Sequence, residues 1–520
     1  MNDDTSKPVG AGADAPEPPG VAVEHLYKAC GLVGQFLHSA STTECVTKFL
    51  GEPDCQKALS LWIETRTIIH VPSTGSELLS LLERDIAEID LLLCSQLDTI
   101  LHHATFQKLE ASWRGLYDLV GRVMVGPSVK IRVFSAEWSE LARDLDRAIE
   151  FDQSSFFRKI YSDEFDMPGG EPFSVLVGDY EVHLHAHRNY PVGDIEVISS
   201  ISRIAAAAFA PFIVGAHPSL FGLDHFGELE RPMELERDFG DPAYAEWRRL
   251  RECEDARFLI MTLPRVLRRE PYDIDVAGHC EFPYREDVSE PDSSGFLWGP
   301  AVYTYAGVLI RAFQRRGWLE DIRGAEREAD GGGRVDELPT PAFRCDPTKI
   351  SPRSSTDVNI DEELDRELRE LGFLPLCHCP HTVSSAFHGV ETLQKPARYD
   401  RDIATLNARL SARIPAILNV SRFAHYLKII ARDRIGSFHE PRELELILQR
   451  WLMRYVSAND DGGIDAVSSY PLREAKVTVR ERPDKPGSFA CILHLRPRFQ
   501  DDVFTASLRL ATELGSQMIA

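Results

Sequence analysis

The stretch FSVLVGDYEVHLHAH (residues 173–187) begins as an apolar run and turns into an alternation of apolar and polar residues. Side chains of a strand point to its two faces in turn, so the first half reads as a buried strand and the second as a half-exposed one. An Ala-rich, helix-patterned segment follows around residues 201–210, and then the apolar strand FLIMTLP (258–264). Upstream, VKIRVFS (129–135) reads as a strand and SAEWSELARDLDRAIE (135–150) as a helix. Strands alternating with helices predict a mixed α/β core.

The chain has 520 residues, enough for several domains and a large core, with a formal net charge of −23. An acidic balance argues against general nucleic-acid binding, which depends on Lys and Arg neutralising phosphates. It also argues against a basic membrane footprint. The longest apolar run, 204–216, contains Pro211 and is shorter than the ~20 residues needed to cross a bilayer. The N-terminus has no signal-peptide pattern, and ten cysteines scattered through a large chain predict a reduced, cytoplasmic protein without membrane insertion.

Residues 1–20 are rich in Pro, Gly, Ala and Asp and read as a disordered tail; 21–75 form a separate N-terminal segment, helical over 21–50. A long helix is predicted from about residue 74, with Thr74 and Glu77 as a capping box. Leu78, Leu82, Ile86, Ile89, Leu93, Leu97 and Ile100 then recur at steps of three or four, an apolar stripe expected to pack along its whole length. Breaker-rich loops fall at 326–340 and 345–359. The stretch 406–433 is helical, with Pro415 as a kink or the start of a second helix. EAKVTVRERPDKPGSFACILHLRPRF (474–499) is a hairpin, and a last strand is expected over 503–510.

Two clusters invite a metal. In CHCPH, Cys377 and Cys379 are one residue apart, Pro380 holds Cys379 extended, and no second ligand pair stands elsewhere. In EVHLHAH, Glu181, His183, His185 and His187 share one strand face, but later strands offer no matching ligands. Core packing and a solvated face explain them better, although a metal-dependent hydrolase using His183, His185 and the Cys377–His381 cluster is an alternative. No G-x-S-x-G and no Walker A loop occurs, and the Arg-rich stretches 263–271 and 422–434 suit a partner surface. No catalytic, cofactor-binding or metal-ligating residue is therefore assigned.

Several long phrases resemble one family in order from about residue 76 to residue 510. They include LHHATFQKLEASWRGLYDLV (101–120), WRRLRECEDARFLIMTLPRVLRREPY (247–272), FLWGPAVYTYAGVLIRAFQRRGW (296–318) and LGFLPLCHCPHTVSSAFHGVETLQKPARYD (371–400). NARLSARIPAILNVSRFAHYLKIIARDRIGSF (407–438) continues the series. They are similar to the large subunit of the type VI secretion contractile sheath, the TssC (VipB) family. The residues before 76 depart from it, as does the stretch after GDYE.

The resemblance implies a tail-sheath-like fold, with an N-terminal α/β sheath domain over 76–395 and a C-terminal core domain over 396–520. It implies pairing with a small sheath subunit (TssB/VipA-like) and stacking of six-membered rings into a helical tube. That tube surrounds an inner tube (Hcp-like), stands on a baseplate, and is taken apart after contraction by an AAA+ ATPase (ClpV-like). A sheath from a related phage-tail-like injection particle is the nearer alternative. Strand edges near the C-terminus suit exchange between subunits. The expected positions are Val477, Val479, Cys491, Leu493, Leu495, Phe504, Ala506, Leu508 and Leu510.

Overall fold

The computed structural model describes residues 47–65, 74–124, 126, 128–167, 169–186, 193–273, 282, 284–288, 294–325, 331–340, 354–380, 382–432, 441–456, 470–481, 489–497 and 508–514. The expected tail 1–20 and nearly all of the helix expected over 21–50 lie outside these residues. The chain divides into two compact units, residues 1–103 with 272–287, and residues 104–271 with 288–520.

The first unit holds α1 (Cys55–Thr65) and α2 (Gly75–Leu101). Thr74 caps α2, its hydroxyl accepting from the Glu77 backbone at 3.3 Å. Trp62 Nε1 donates to the buried Asp85 at 3.1 Å, and Tyr284 donates to Asp98 at 2.7 Å. The apolar stripe of α2 differs from expectation. Ile86 is 58% exposed, and Leu93 and Ile100 are exposed too, so the described residues cover little of it.

The second unit is built on a six-stranded sheet of order β1-β2-β3-β7-β8-β6. Its strands are β1 (Leu176–Val182), β2 (Phe212–Ala216), β3 (Leu259–Leu263), β6 (Arg334–Val335), β7 (Phe373–His378) and β8 (Ser385–Phe387). β1, β2, β3 and β7 run parallel, β8 is antiparallel to β7, and β6 is antiparallel to β8. A small ribbon, β4 (Arg265–Leu267) with β5 (Trp298–Pro300), lies beside them in sequence.

Both faces of this sheet are covered at its centre, which is why β2, β3 and most of β7 are apolar runs rather than alternating ones. Phe212, Val214, Leu259, Met261 and Phe373 enter one core with α5 (Asp194–Ala208) and Trp247. Ile213, Ile260, Leu374 and Leu376 enter the other with Val302, Tyr305 and Leu309 of α7 (Val302–Arg316). The period of two survives as a choice between two apolar layers. The apolar run 204–216 is the end of α5 plus β2. Phe209 turns the chain between them at φ 50°, a left-handed conformation uncommon outside glycine, and Ala210 N–H bonds back to Ala205 at 2.9 Å.

Three expectations change at the residue level. β1 ends at Val182, so the described residues 183–186 do not continue the strand. Residues 129–135 are extended but join no sheet. Pro415 lies in the first turn of α10 (Ile414–Arg432), after the separate helix α9 (Asp402–Ser411), where a missing N–H costs nothing. The other helices used below are α3 (Ala104–Gly121), α4 (Trp138–Arg147), α8 (Glu362–Glu370) and α11 (Pro441–Leu452).

Candidate functional site

The C-terminal part of the second unit carries a three-stranded antiparallel sheet of order β11-β10-β9. β9 (Leu472–Glu481) and β10 (Phe489–Pro497) form the expected hairpin, with Val477 opposite Leu493 and Val479 opposite Cys491. Val477, Val479, Cys491, Leu493 and Leu495 are all buried, against Leu444, Leu448 and Leu452 of α11 and Phe423 and Leu427 of α10. Their role is to seat the sheet, so any strand exchange must run through backbone edges. β11 (Leu508–Leu514) includes Leu508 and Leu510, which pair with Leu495 and Leu493. Phe504 and Ala506 lie outside the described residues.

The two edges of this sheet are treated differently. Along β9, Gln449 of α11 accepts from Val477 N–H at 2.8 Å and donates to the Ala475 carbonyl at 3.0 Å. Glu445, one turn earlier, accepts from Val479 N–H at 3.0 Å. Two side chains thus occupy the groups with which another strand would pair. β11 is the opposite edge of the sheet and is paired with β10 alone. In an antiparallel ladder the hydrogen-bonding groups of successive residues point to opposite sides. Since 475, 477 and 479 point away from β10, residues 491 and 493 point toward β11. The outward N–H and C=O groups of β11 are then those of Arg509, Ala511 and Glu513. A row of open backbone groups is a template for a neighbour's strand.

The clamp gives a testable effect. Gln449→Ala with Glu445→Ala leaves three β9 groups unbonded or wetted, at roughly 1–3 kcal/mol for each group that stays buried. The double variant is expected to melt earlier and to associate irregularly through β9, measured by thermal unfolding and light scattering. Unchanged stability and solution behaviour would show that the clamp is idle.

The described metal candidates have partners within the chain. Cys377 is buried in β7, and its thiol donates to Asp365 Oδ1 of α8 at 3.5 Å. Burial first, then the Asp365 charge, pushes that thiol far above its ordinary range, so the thiolate that binds zinc is disfavoured. Burial likewise raises the Cys379 thiol and lowers His378. His381 lies outside the described residues.

His183 follows β1 and meets Asp194 at 3.1 Å, stacking on His217 with ring centroids 3.9 Å apart. Burial raises the Asp194 carboxyl, but hydrogen bonds from the His183 ring and backbone and from Trp138 outweigh it and hold it below the usual carboxylate range. His185 is exposed, and His187 lies outside the described residues. No group of three His, Cys, Asp or Glu among the described residues is placed to hold a metal ion. Cys377→Ser with Cys379→Ser keeps a donor toward Asp365 and is expected to leave assembly intact. Metal analysis should find below about a tenth of an equivalent in the parent protein. Loss of a stoichiometric metal together with assembly would contradict this.

A covered α/β core followed by a helix-backed sheet with one clamped and one open edge suits a subunit that links to copies or partners by adding strands. Residues 83–394 match the EvpB/VC_A0108 tail sheath N-terminal domain (VipB), and residues 403–514 match the EvpB/VC_A0108 tail sheath gpW/gp25-like domain. The chain is therefore of the contractile-sheath class. It is 39% identical over 438 residues to the type VI secretion system sheath protein TssC1 of Pseudomonas aeruginosa, covering 84% of this chain and 86% of that one. The chain belongs to the VipB tail-sheath family of type VI secretion, as its large-subunit type. Among solved structures, a chain of the anti-feeding prophage baseplate aligns at 11% identity, covering 76% of this chain and 81% of that chain, with a TM-score of 0.31. A sheath tail protein from Desulfitobacterium hafniense aligns at 7% identity, covering 65% and 57%, with a TM-score of 0.30. No described helix is long and apolar enough to cross a membrane.

Proposed function

We propose that this chain pairs with a small sheath subunit and that the pairs polymerise, as six-membered rings, into a helical cytoplasmic tube. The tube surrounds an inner tube on a baseplate and drives it outward on contraction, after which an AAA+ ATPase dismantles the contracted sheath. The work is mechanical and needs no catalytic residue. Residues 76–395 and 396–520 act as the two sheath domains. The observation that carries the reading is the asymmetry of the C-terminal sheet, in a chain of the sheath family: β9 is closed by Gln449 and Glu445, while β11 is open. A heterologous contact between an open edge and a strand elsewhere on the next subunit propagates helically instead of closing on itself. Two packings of such a lattice that differ by ~a few kcal/mol per subunit store energy for one release. Co-expression with the small subunit followed by electron microscopy tests this. Tubes are expected, and the absence of any complex would overturn the reading.

A further inference from the structure

The stripe on α2 has the spacing of a helix-pairing seam. Leu79, Ile86, Leu93 and Ile100 recur every seven residues, and Leu82 and Ile89 each follow three after. Gln96 completes the row. These are the a and d positions of a heptad, which pack against a second helix. Leu79 is 59% exposed, and Leu93 and Ile100 are 48% exposed each. Asp85 is the one described residue of α2 that is buried, and no apolar core cluster among the described residues draws on residues 1–103. Helices in proteins are held chiefly by packing an apolar face. A seam from 79 to 100 is ~32 Å long at 1.5 Å per residue, room for another helix along it.

The chain's own N-terminal stretch carries the matching pattern. Val23, Leu26, Cys30, Val33, Leu37 and Ala40 alternate steps of three and four. Thr47 opens a helical turn in which Phe49 stacks on Trp62 of α1, with centroids 5.4 Å apart, and Trp62 donates to Asp85 of α2. The residues before 47 are therefore tethered beside Asp85. Residues 41–46 span up to ~20 Å when extended, enough to turn the chain back along α2. We propose that residues 21–40 form a helix lying antiparallel on the Ile86–Ile100 part of this seam. Val33 then faces Leu93, Cys30 faces Gln96 and Leu26 faces Ile100, each an a position against a d position.

Charge and tethering favour this occupant. α2 carries Glu77, Glu83, Asp85, Glu88, Asp90 and Asp98 against Arg84 alone, so a second copy of α2 would set acid against acid. Residues 21–40 carry only Glu24 and Lys28 and bring no net charge. A segment held by a six-residue linker acts at an effective concentration in the mM range, which a separate chain matches only by tight binding. Gly31 and Gly34 weaken the helix by ~1 kcal/mol each relative to alanine, so its formation depends on the seam. Docking gives residues 1–103 an apolar core of their own.

The test places the photo-crosslinker p-benzoylphenylalanine at position 96, an exposed seam position. The full chain is read both alone and co-expressed with the small subunit, so a failure of pairing leaves the test intact. Illumination is expected to give an adduct within one chain, mapped by mass spectrometry to residues 26–34. Val33→Asp with Leu37→Asp puts two charges into the seam and is expected to lower the adduct yield at least ~10-fold, compared at equal amounts of soluble protein. Val33→Ile with Leu37→Met is expected to keep it. An adduct to the small subunit, to a second copy or to another part of this chain would overturn the proposal. So would the absence of any adduct, or an adduct that survives the two aspartates.

Discussion

Removal of residues 501–520 is expected to abolish tube formation while leaving the subunit folded and paired. The truncation takes β11 and with it the open groups of Arg509, Ala511 and Glu513. The remaining hairpin keeps its own core, because Val477, Val479, Cys491, Leu493 and Leu495 pack on α10 and α11. Each inter-subunit strand contributes a few backbone hydrogen bonds of about 1 kcal/mol net, repeated at every lattice point, so the loss is cooperative. Negative-stain microscopy of the co-expressed truncated pair reads the outcome. Tubes of normal length from the truncated protein would show that β11 is not the link.

The second large effect lies beneath that sheet. Phe423 of α10 is fully buried and stacks on Trp318 with centroids 4.9 Å apart, with Tyr455 and Trp451 edge-on at 5.7 and 6.1 Å. Phe423→Ala removes a ring that its rigid neighbours cannot replace, costing about 3–5 kcal/mol. The C-terminal unfolding transition is expected to move to clearly lower urea, and assembly to fail as β9–β11 lose their support. Phe423→Leu fills most of the space and should recover most of the loss. A midpoint unchanged by the alanine would mean that the aromatic cluster does not hold the sheet.

The sequence makes the order of strands and helices legible wherever burial writes a pattern. The hairpin 474–499 is read from two alternating runs around a turn, and the structure sets its register with Val477 opposite Leu493. β2 is not read as a strand because both its faces are apolar and it adjoins an Ala-rich helix, which leaves no period to detect. The short strand β6, two residues long, lies in a stretch read as a loop.

Residues 129–135 have the composition of a strand but pair with no described strand. Pattern reports what a side chain prefers and says nothing of whether the partner is present. The same holds for the stripe on α2. The clamp by Glu445 and Gln449 leaves no sequence signal, since a polar helix face reads as solvated until the strand beside it is known. Spacing also hides where the described metal candidates lie: Cys377 turns to Asp365, and His183 and His185 fall beyond the end of β1.

A helical reconstruction of the co-expressed pair, at a resolution that shows strand pairing, is the most direct test. The account predicts a tube in which a strand of a neighbouring subunit lies against β11, hydrogen-bonded to Arg509, Ala511 and Glu513, while Gln449 and Glu445 still close β9. A tube with both edges of this sheet unpaired and its rings joined elsewhere, or a pair that forms no tube, would contradict it.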